Sequence, residues 1–240
     1  MRNFIAFTLL LFTLSNSPIH SQDHGNNAVS KFDITAEQWQ DDLAFLRDHA
    51  PLFHKDLFNK MSRSEYETYI SELNAEIPSM TSNQIYAHFM KLVAMFGDGH
   101  TVMQASTAEF YPVRFHIFSD GIFIIDADNN NLVGRKLVSI EGMNVNELYE
   151  KLIPYVARDN EWQIKTMMPL YMVNARLLNG IGLADSDREL TIELNNNSGN
   201  NITEKLSAIP HSEFRQYMPY SYAGIKDPPL YLQNTDKNYW

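Results

Sequence analysis

Cysteine is absent from the 240 residues. Disulfides, thiolate nucleophiles, Cys-ligated zinc and iron–sulfur clusters are therefore excluded together. Basic residues are scarce: Lys plus Arg number 19 against 29 Asp plus Glu, a net charge of -10. No basic run is long enough to neutralise a row of phosphates, so nucleic acid is not an expected partner. Long apolar runs are also missing. The longest, Phe4 to Leu14, has about eleven residues where a spanning helix needs ~20, and no transmembrane segment is expected. Two activated-serine signatures, Gly-x-Ser-x-Gly and Ser-x-x-Lys, do not occur. There is no internal repeat, and the one biased stretch, the Asn-rich Asn195 to Asn201, reads as a solvated turn. What remains, 44% hydrophobic and 20% charged residues, suits one or two globular domains with a sizeable core.

The N-terminus carries an address. Arg2 precedes the apolar run from Phe4 to Leu14, and a polar stretch follows, ending Pro18-Ile19-His20-Ser21. That order describes a secretory signal peptide over residues 1–21, cleaved near Ser21. No Cys follows it, so lipid attachment to the new terminus is excluded. Export to a periplasmic or extracellular space is the expectation.

Helical signals begin near Phe32. Thr35 with Gln38, Ser62 with Glu65 and Thr81 with Gln84 each place a hydroxyl three residues before Glu or Gln, the reciprocal cap that satisfies two orphan amides. Each precedes an apolar stripe: Trp39, Leu43, Leu46 and Ala50; Tyr66, Tyr69, Ile70, Leu73 and Ile77; Ile85, Phe89, Leu92, Val93 and Phe96. Pro51, Pro78 and Gly97 are the expected stops. The period then falls from 3.6 to 2. Tyr111, Val113, Phe115 and Ile117 alternate toward Asp120-Gly121, and Ile122 to Ile125 follow, a strand, turn and strand. A strand is expected over Arg135 to Ile140 and a helix from about Asn146 carrying Leu148, Leu152 and Val156. Residues 161–179 should be helical, interrupted at Pro169 and closed by Gly180, and Glu189 to Leu194 should pair with Ile202 to Leu206. The fold class is α+β: a three-helix N-terminal domain over 33–105, then a mostly β domain with inserted helices over 106–210.

Chemistry concentrates in Gly97-Asp98-Gly99-His100-Thr101. Two glycines let the backbone turn sharply after a capped helix and present Asp98 and His100 on a supported loop. A loop His can act as a general base with a carboxylate orienting it, or it can merely bond local backbone. Asp98 reads as a loop-shaping residue that bonds nearby amides. His49 and His54 flank Pro51 at a spacing that does not put two ligands on one helical face, so no metal site is expected there. His88 reads as a boundary residue on the third helix. Arg114 and His116 share the solvated face of a strand. Trp39, Trp162 and Trp240 read as core or interface packing, as do Tyr217, Tyr220 and Tyr222, which a peptide groove would otherwise use. Asn196-Asn197-Ser198 and Asn201-Ile202-Thr203 fit the glycosylation pattern.

Taken in order, these pieces resemble the tail-specific or C-terminal-processing serine proteases, including their tricorn-like members. Trp39 to Leu46 and His49 to Lys55 are similar to the family's opening helix and turn. Gly97-Asp98-Gly99-His100-Thr101 looks like its Asp-Gly-His-Thr motif, and Tyr111-Pro112-Val113 with Asp120 to Ile124 like the strand and hairpin that come next. Leu132 to Gly142 resembles the point where a PDZ-like domain begins.

The resemblance implies an N-terminal portion of an exported serine-type peptidase, covering about 33–240. It contains helical and PDZ-like regions but not the α/β core with the nucleophilic Ser, and residues 211–240 serve as a linker toward that core. It implies peptide or unfolded protein as substrate, the protease core as partner, no cofactor and no metal, and little activity for this chain alone. In tricorn-like members the His at this place deprotonates the serine, whereas many other members use a Lys in the core, so His100 is either the base or loop support. Tricorn's motif has Ser directly before the His, and this chain has Gly99. The alternative is a free-standing, non-catalytic peptide-binding module, and the carboxylate-binding loop of a typical PDZ domain is not recognisable before Ile122.

Overall fold

The computed structural model describes residues 34–103, 108–195, 199–214 and 217. The proposed signal peptide, Trp240 and Tyr220 with Tyr222 lie outside the described residues. All three capping boxes form. Thr35 starts α1 (Ala36–Phe53), Ser62 starts α2 (Arg63–Glu76) and Thr81 starts α3 (Ser82–Met95), each with the hydroxyl and the Gln or Glu bonded reciprocally. Pro51 does not end α1, which runs two residues further. This close to the helix end the missing N–H forfeits a single intrahelical bond.

The strands follow in the expected order. β1 (Glu109–Phe110) precedes the hairpin of β2 (Val113–Phe118) and β3 (Gly121–Ala127), then β4 (Lys136–Ile140) and β5 (Met143–Asn144). α4 (Val145–Leu152) is cut short because Pro154 begins a tight 3-10 turn, although Val156 beyond it is still buried. α5 (Glu161–Tyr171) carries Pro169 inside it rather than breaking there. The break comes at Asn174, whose side chain accepts from the Leu177 amide and so starts α6 (Ala175–Gly180). β6 (Glu189–Asn195), β7 (Asn201–Ser207), β8 (Ile209–Pro210) and α7 (His211–Phe214) complete the described chain. The main sheet is antiparallel in the order β2-β3-β4-β6-β7, with β5 added to β4, and β1 pairs β8 as a separate ribbon. The fold is α+β.

Two apolar clusters hold it together. One packs the stripes of α1 and α2 against Ile85, Phe89, Leu92, Val93 and Phe96 of α3. The other joins the inward faces of the sheet to α4, α5 and α6, and it takes Tyr86, Ala87 and Met90 from the opposite side of the same α3. α3 is thus shared between them. A polar seam fixes α3 to α6: Asn174 Nδ2 donates to the Tyr86 hydroxyl at 3.0 Å, and Arg176 Nε donates to Asn83 Oδ1 at 2.9 Å. Asn83 Nδ2 in turn donates to Asn179 and Asp187. Every buried polar group here has a partner, which makes the junction geometrically specific. Trp39 lies in the helical core, but Trp162 does not pack: the residue is 76% exposed on the first turn of α5.

Candidate functional site

The loop after α3 is built by its neighbours. Gly97 terminates the helix with φ +67°, a conformation that favours glycine, and its amide donates to the Ala94 carbonyl at 3.1 Å. Asp98 then organises the turn. One carboxylate oxygen accepts from the His100 amide at 2.9 Å, and the other from the Thr101 hydroxyl at 2.7 Å and from His54 Nε2 at 3.0 Å. His54 Nδ1 accepts from the Asp56 amide, so Nε2 carries the hydrogen that His54 donates. Partial burial would raise the Asp98 pKa, but the donors from Thr101, His100 and His54 outweigh it and hold the carboxyl below its ordinary value. Asp98 is the loop-shaping residue the sequence suggests.

A second wall comes from the link between α4 and α5. The Gly99 amide donates to Asp159 Oδ1 at 2.8 Å, Gln163 Nε2 donates to the Gly99 carbonyl at 3.1 Å, and the Asp159 amide donates to Gln163 Oε1 at 2.8 Å. A Cβ at Gly99 would lie 2.1 Å from the Gln163 amide. A side chain at position 99 would therefore have to displace the Gln163 amide from the Gly99 carbonyl.

These contacts leave His100 between two carboxylates. Its Nδ1 is 3.5 Å from Asp98 Oδ1 and 3.5 Å from Asp159 Oδ2, while the side chain is 88% exposed. At that separation the carboxylates flank the ring on its Nδ1 side without a short charge-assisted bond. An imidazole flanked at Nδ1 by carboxylates and open elsewhere can accept a proton from an incoming hydroxyl. The Thr101 hydroxyl is not such a nucleophile, because it already donates to Asp98. Asp98, His100 and Asp159 also place ligand atoms within 4.8 Å of one another, a spacing compatible with a cation. Asp98 accepts from the His100 amide, the Thr101 hydroxyl and His54, whereas Asp159 accepts at Oδ1 from the Gly99 amide.

The other histidines stand apart. His49 is sandwiched between Phe45 and Phe53 on α1, with Nδ1 2.9 Å from the Phe45 carbonyl. His88 meets the Tyr69 hydroxyl at 3.1 Å, and burial holds its pKa down. His116 is exposed on β2 beside Phe118. Tyr217 is buried in the larger core and bonds Asp128, so it packs rather than lines a groove. Sequence reasoning missed His54, Asp159 and Gln163. They reach the loop from 44, 60 and 64 residues away, and no spacing along the chain signals them.

No protein-family profile and no curated protein sequence matches the chain at a significant level. Solved structures of the chlamydial protease CPAF do match its fold. Mature CPAF complexed with lactacystin shares 14% identity at a TM-score of 0.50 over 72% of this chain and 35% of that one. Mature CPAF alone shares 15% at 0.50 over 73% and 35%. A serine-to-alanine mutant of CPAF shares 14% at 0.52 over 80% and 40%. The chain thus spans less than half the length of the structures it resembles, and what it shares with them is the fold.

Proposed function

We propose that this chain is the N-terminal portion of an exported serine-type peptidase of the tail-specific kind, to which it contributes a peptide-binding sheet and His100 as general base. The observation that carries the reading is the setting of His100: Nδ1 between Asp98 and Asp159, the rest of an 88% exposed ring turned to solvent. A base that must take a proton from a serine on another part of the protein needs this combination, one nitrogen oriented and the other accessible. The Asp-Gly-His-Thr resemblance and the protease-related fold support it.

In this reading the sheet is PDZ-like and holds an extended peptide by strand addition at an edge. Two edges are available among the described residues: β2, beside α5, and β7, which has no strand beyond it. The test of the base is His100→Ala in a protein that includes the serine-bearing core. Turnover should fall by ~10²-fold or more with thermal stability nearly unchanged. A loss within about threefold retires the base in favour of a group in the core, because a positioned proton acceptor contributes far more than that. For export, mass spectrometry of secreted material should find the mature chain beginning at or near Gln22, and an intact Met1 would contradict it.

A further inference from the structure

Beside the His100 loop lies a cleft of about 350 Å³ whose lining runs counter to the charge of the chain. It shares Gly97 and Asp159 with the loop, and Lys60, Lys91 and Arg158 converge on it from three separate elements: the turn before α2, helix α3 and the α4–α5 link. In a protein of net charge -10 these three cations are not spread among the acids. Among the described residues none of them has a carboxylate within ion-pair distance. Arg158 is held in place, because its NH1 donates to the Ile153 and Val156 carbonyls at 3.0 and 3.2 Å. The Lys60 stem lies directly over Gly97, where the Cβ of any other residue would come within 2.4 Å of its Cγ. Glycine at 97 thus serves both the turn and the seat of this lysine. The Lys91 ammonium rests 5.9 Å from the Tyr69 ring. On the acidic side the cleft has Asp159, whose carboxylate accepts from Gly99 and faces His100, and Glu161. Three cations against these two acids leave room for one added negative charge.

We infer that this cleft is a specificity subsite for a carboxylate on a peptide, a Glu or Asp side chain near the bond whose cleavage His100 serves. The inference rests on the reading of His100 as the base, since that is what places a peptide alongside Gly97 and Asp159. The cleft is large enough for a side chain of several atoms. A fixed guanidinium and two ammonium groups recognise a carboxylate by charge-assisted hydrogen bonds that a neutral amide of the same shape cannot replace.

The binding test uses the full 240-residue chain and fluorescent peptides blocked at both ends, Ala-Ala-Glu-Ala-Ala and its Gln counterpart, so that the only difference is one side-chain carboxylate. The Glu peptide should bind about tenfold more tightly at low salt, and the ratio should shrink as salt is raised. Lys91→Gln with Arg158→Gln should bring the ratio to about one, and His100→Ala should leave it unchanged. Because Arg158 also ties down two carbonyls, Lys91→Gln alone is the second variant, and it should lower the ratio without altering the fold. Equal binding of the two peptides, or a Glu preference that survives both variants, overturns the subsite. If inorganic phosphate binds in a Lys91-dependent way while the Glu peptide does not, the cleft holds a small free anion and the peptide assignment fails. The binding ratio needs no catalysis, so a failed subsite is distinguishable from a failed base, which only turnover of the longer protein reports.

Discussion

The helical region and the sheet region are assembled by different kinds of information. In the helical region each element announces itself within a few residues, a capping box and then a stripe, and the core from Trp39 to Phe96 closes over a short stretch of chain. In the sheet region the core draws on residues from Tyr86 to Tyr217, and β1 pairs with β8 about a hundred residues later. Local signals specify the first region, whereas the second forms only when distant segments meet. α3 belongs to both, with Phe89 on one face and Met90 on the other. The loop with His100 leaves the end of this shared helix, which explains why its partners come from both sides: His54 from the helical region, Asp159 and Gln163 from the other.

If α3 couples the two regions, damage to either of its faces should be felt by the whole. Phe89→Ala should cost about 3–5 kcal/mol and Met90→Ala about 2–5 kcal/mol, the usual range for emptied core positions. Both should move one common urea transition, seen alike by far-UV circular dichroism and by the fluorescence of Trp39, which packs against Phe89. Two separate transitions, each moved by only one of the variants, would break the coupling and leave two independent domains.

The polar seam gives a smaller effect. Asn174→Ala removes both the bond to the Tyr86 hydroxyl and the cap of α6, which should cost about 1–3 kcal/mol. Adding Tyr86→Phe should cost less in this background than in the wild type, because the hydroxyl has already lost its partner. Additive losses, measured by the same denaturation, would mean that the seam contributes nothing beyond packing.

The smallest effects are those of pH. The Asp98 carboxyl is held below its ordinary value, so its contribution is full above the unfolded pKa and is lost as pH falls through the lower, folded one. Asp98→Asn should therefore flatten the decline in melting temperature at pH values below about 4. His88 is also depressed, by burial between α2 and α3. Its neutral form is favoured on folding, so stability is retained above about pH 6.5 and declines below it. His88→Gln should remove that upper part of the decline and leave the part due to Asp98. A melting profile unaltered in both variants would show that neither group links folding to pH.

What could be read in the chain was whatever is encoded locally. The three caps, the stripes, the Asp120-Gly121 hairpin and the pairing of Glu189 to Leu194 with Ile202 to Leu206 follow from spacing and turn chemistry, and each formed. Proline does not always stop a helix. Pro51 and Pro169 stand near helix ends, where one lost hydrogen bond does not stop the helix. Trp162, which the sequence suggests packs in a core or interface, lies exposed because its helix buries Ile164, Met168 and Tyr171 instead.

For the site, the sequence by itself determined the loop, its glycines and Asp98 as its organiser, and it put an imidazole, His100, at the loop's tip. Only the tertiary structure decided what His100 faces. Asp159 arrives from the far side of α4, His54 turns to Asp98 rather than to His49, and Lys60, Lys91 and Arg158 meet around one cleft. The physical reason is one of range. Caps and turns are satisfied by amides three or four residues away, so their residues carry the signal themselves. Carboxylates and cations separated by tens of residues are brought together only by the packing of the elements that bear them, and here that packing is set by the two faces of α3.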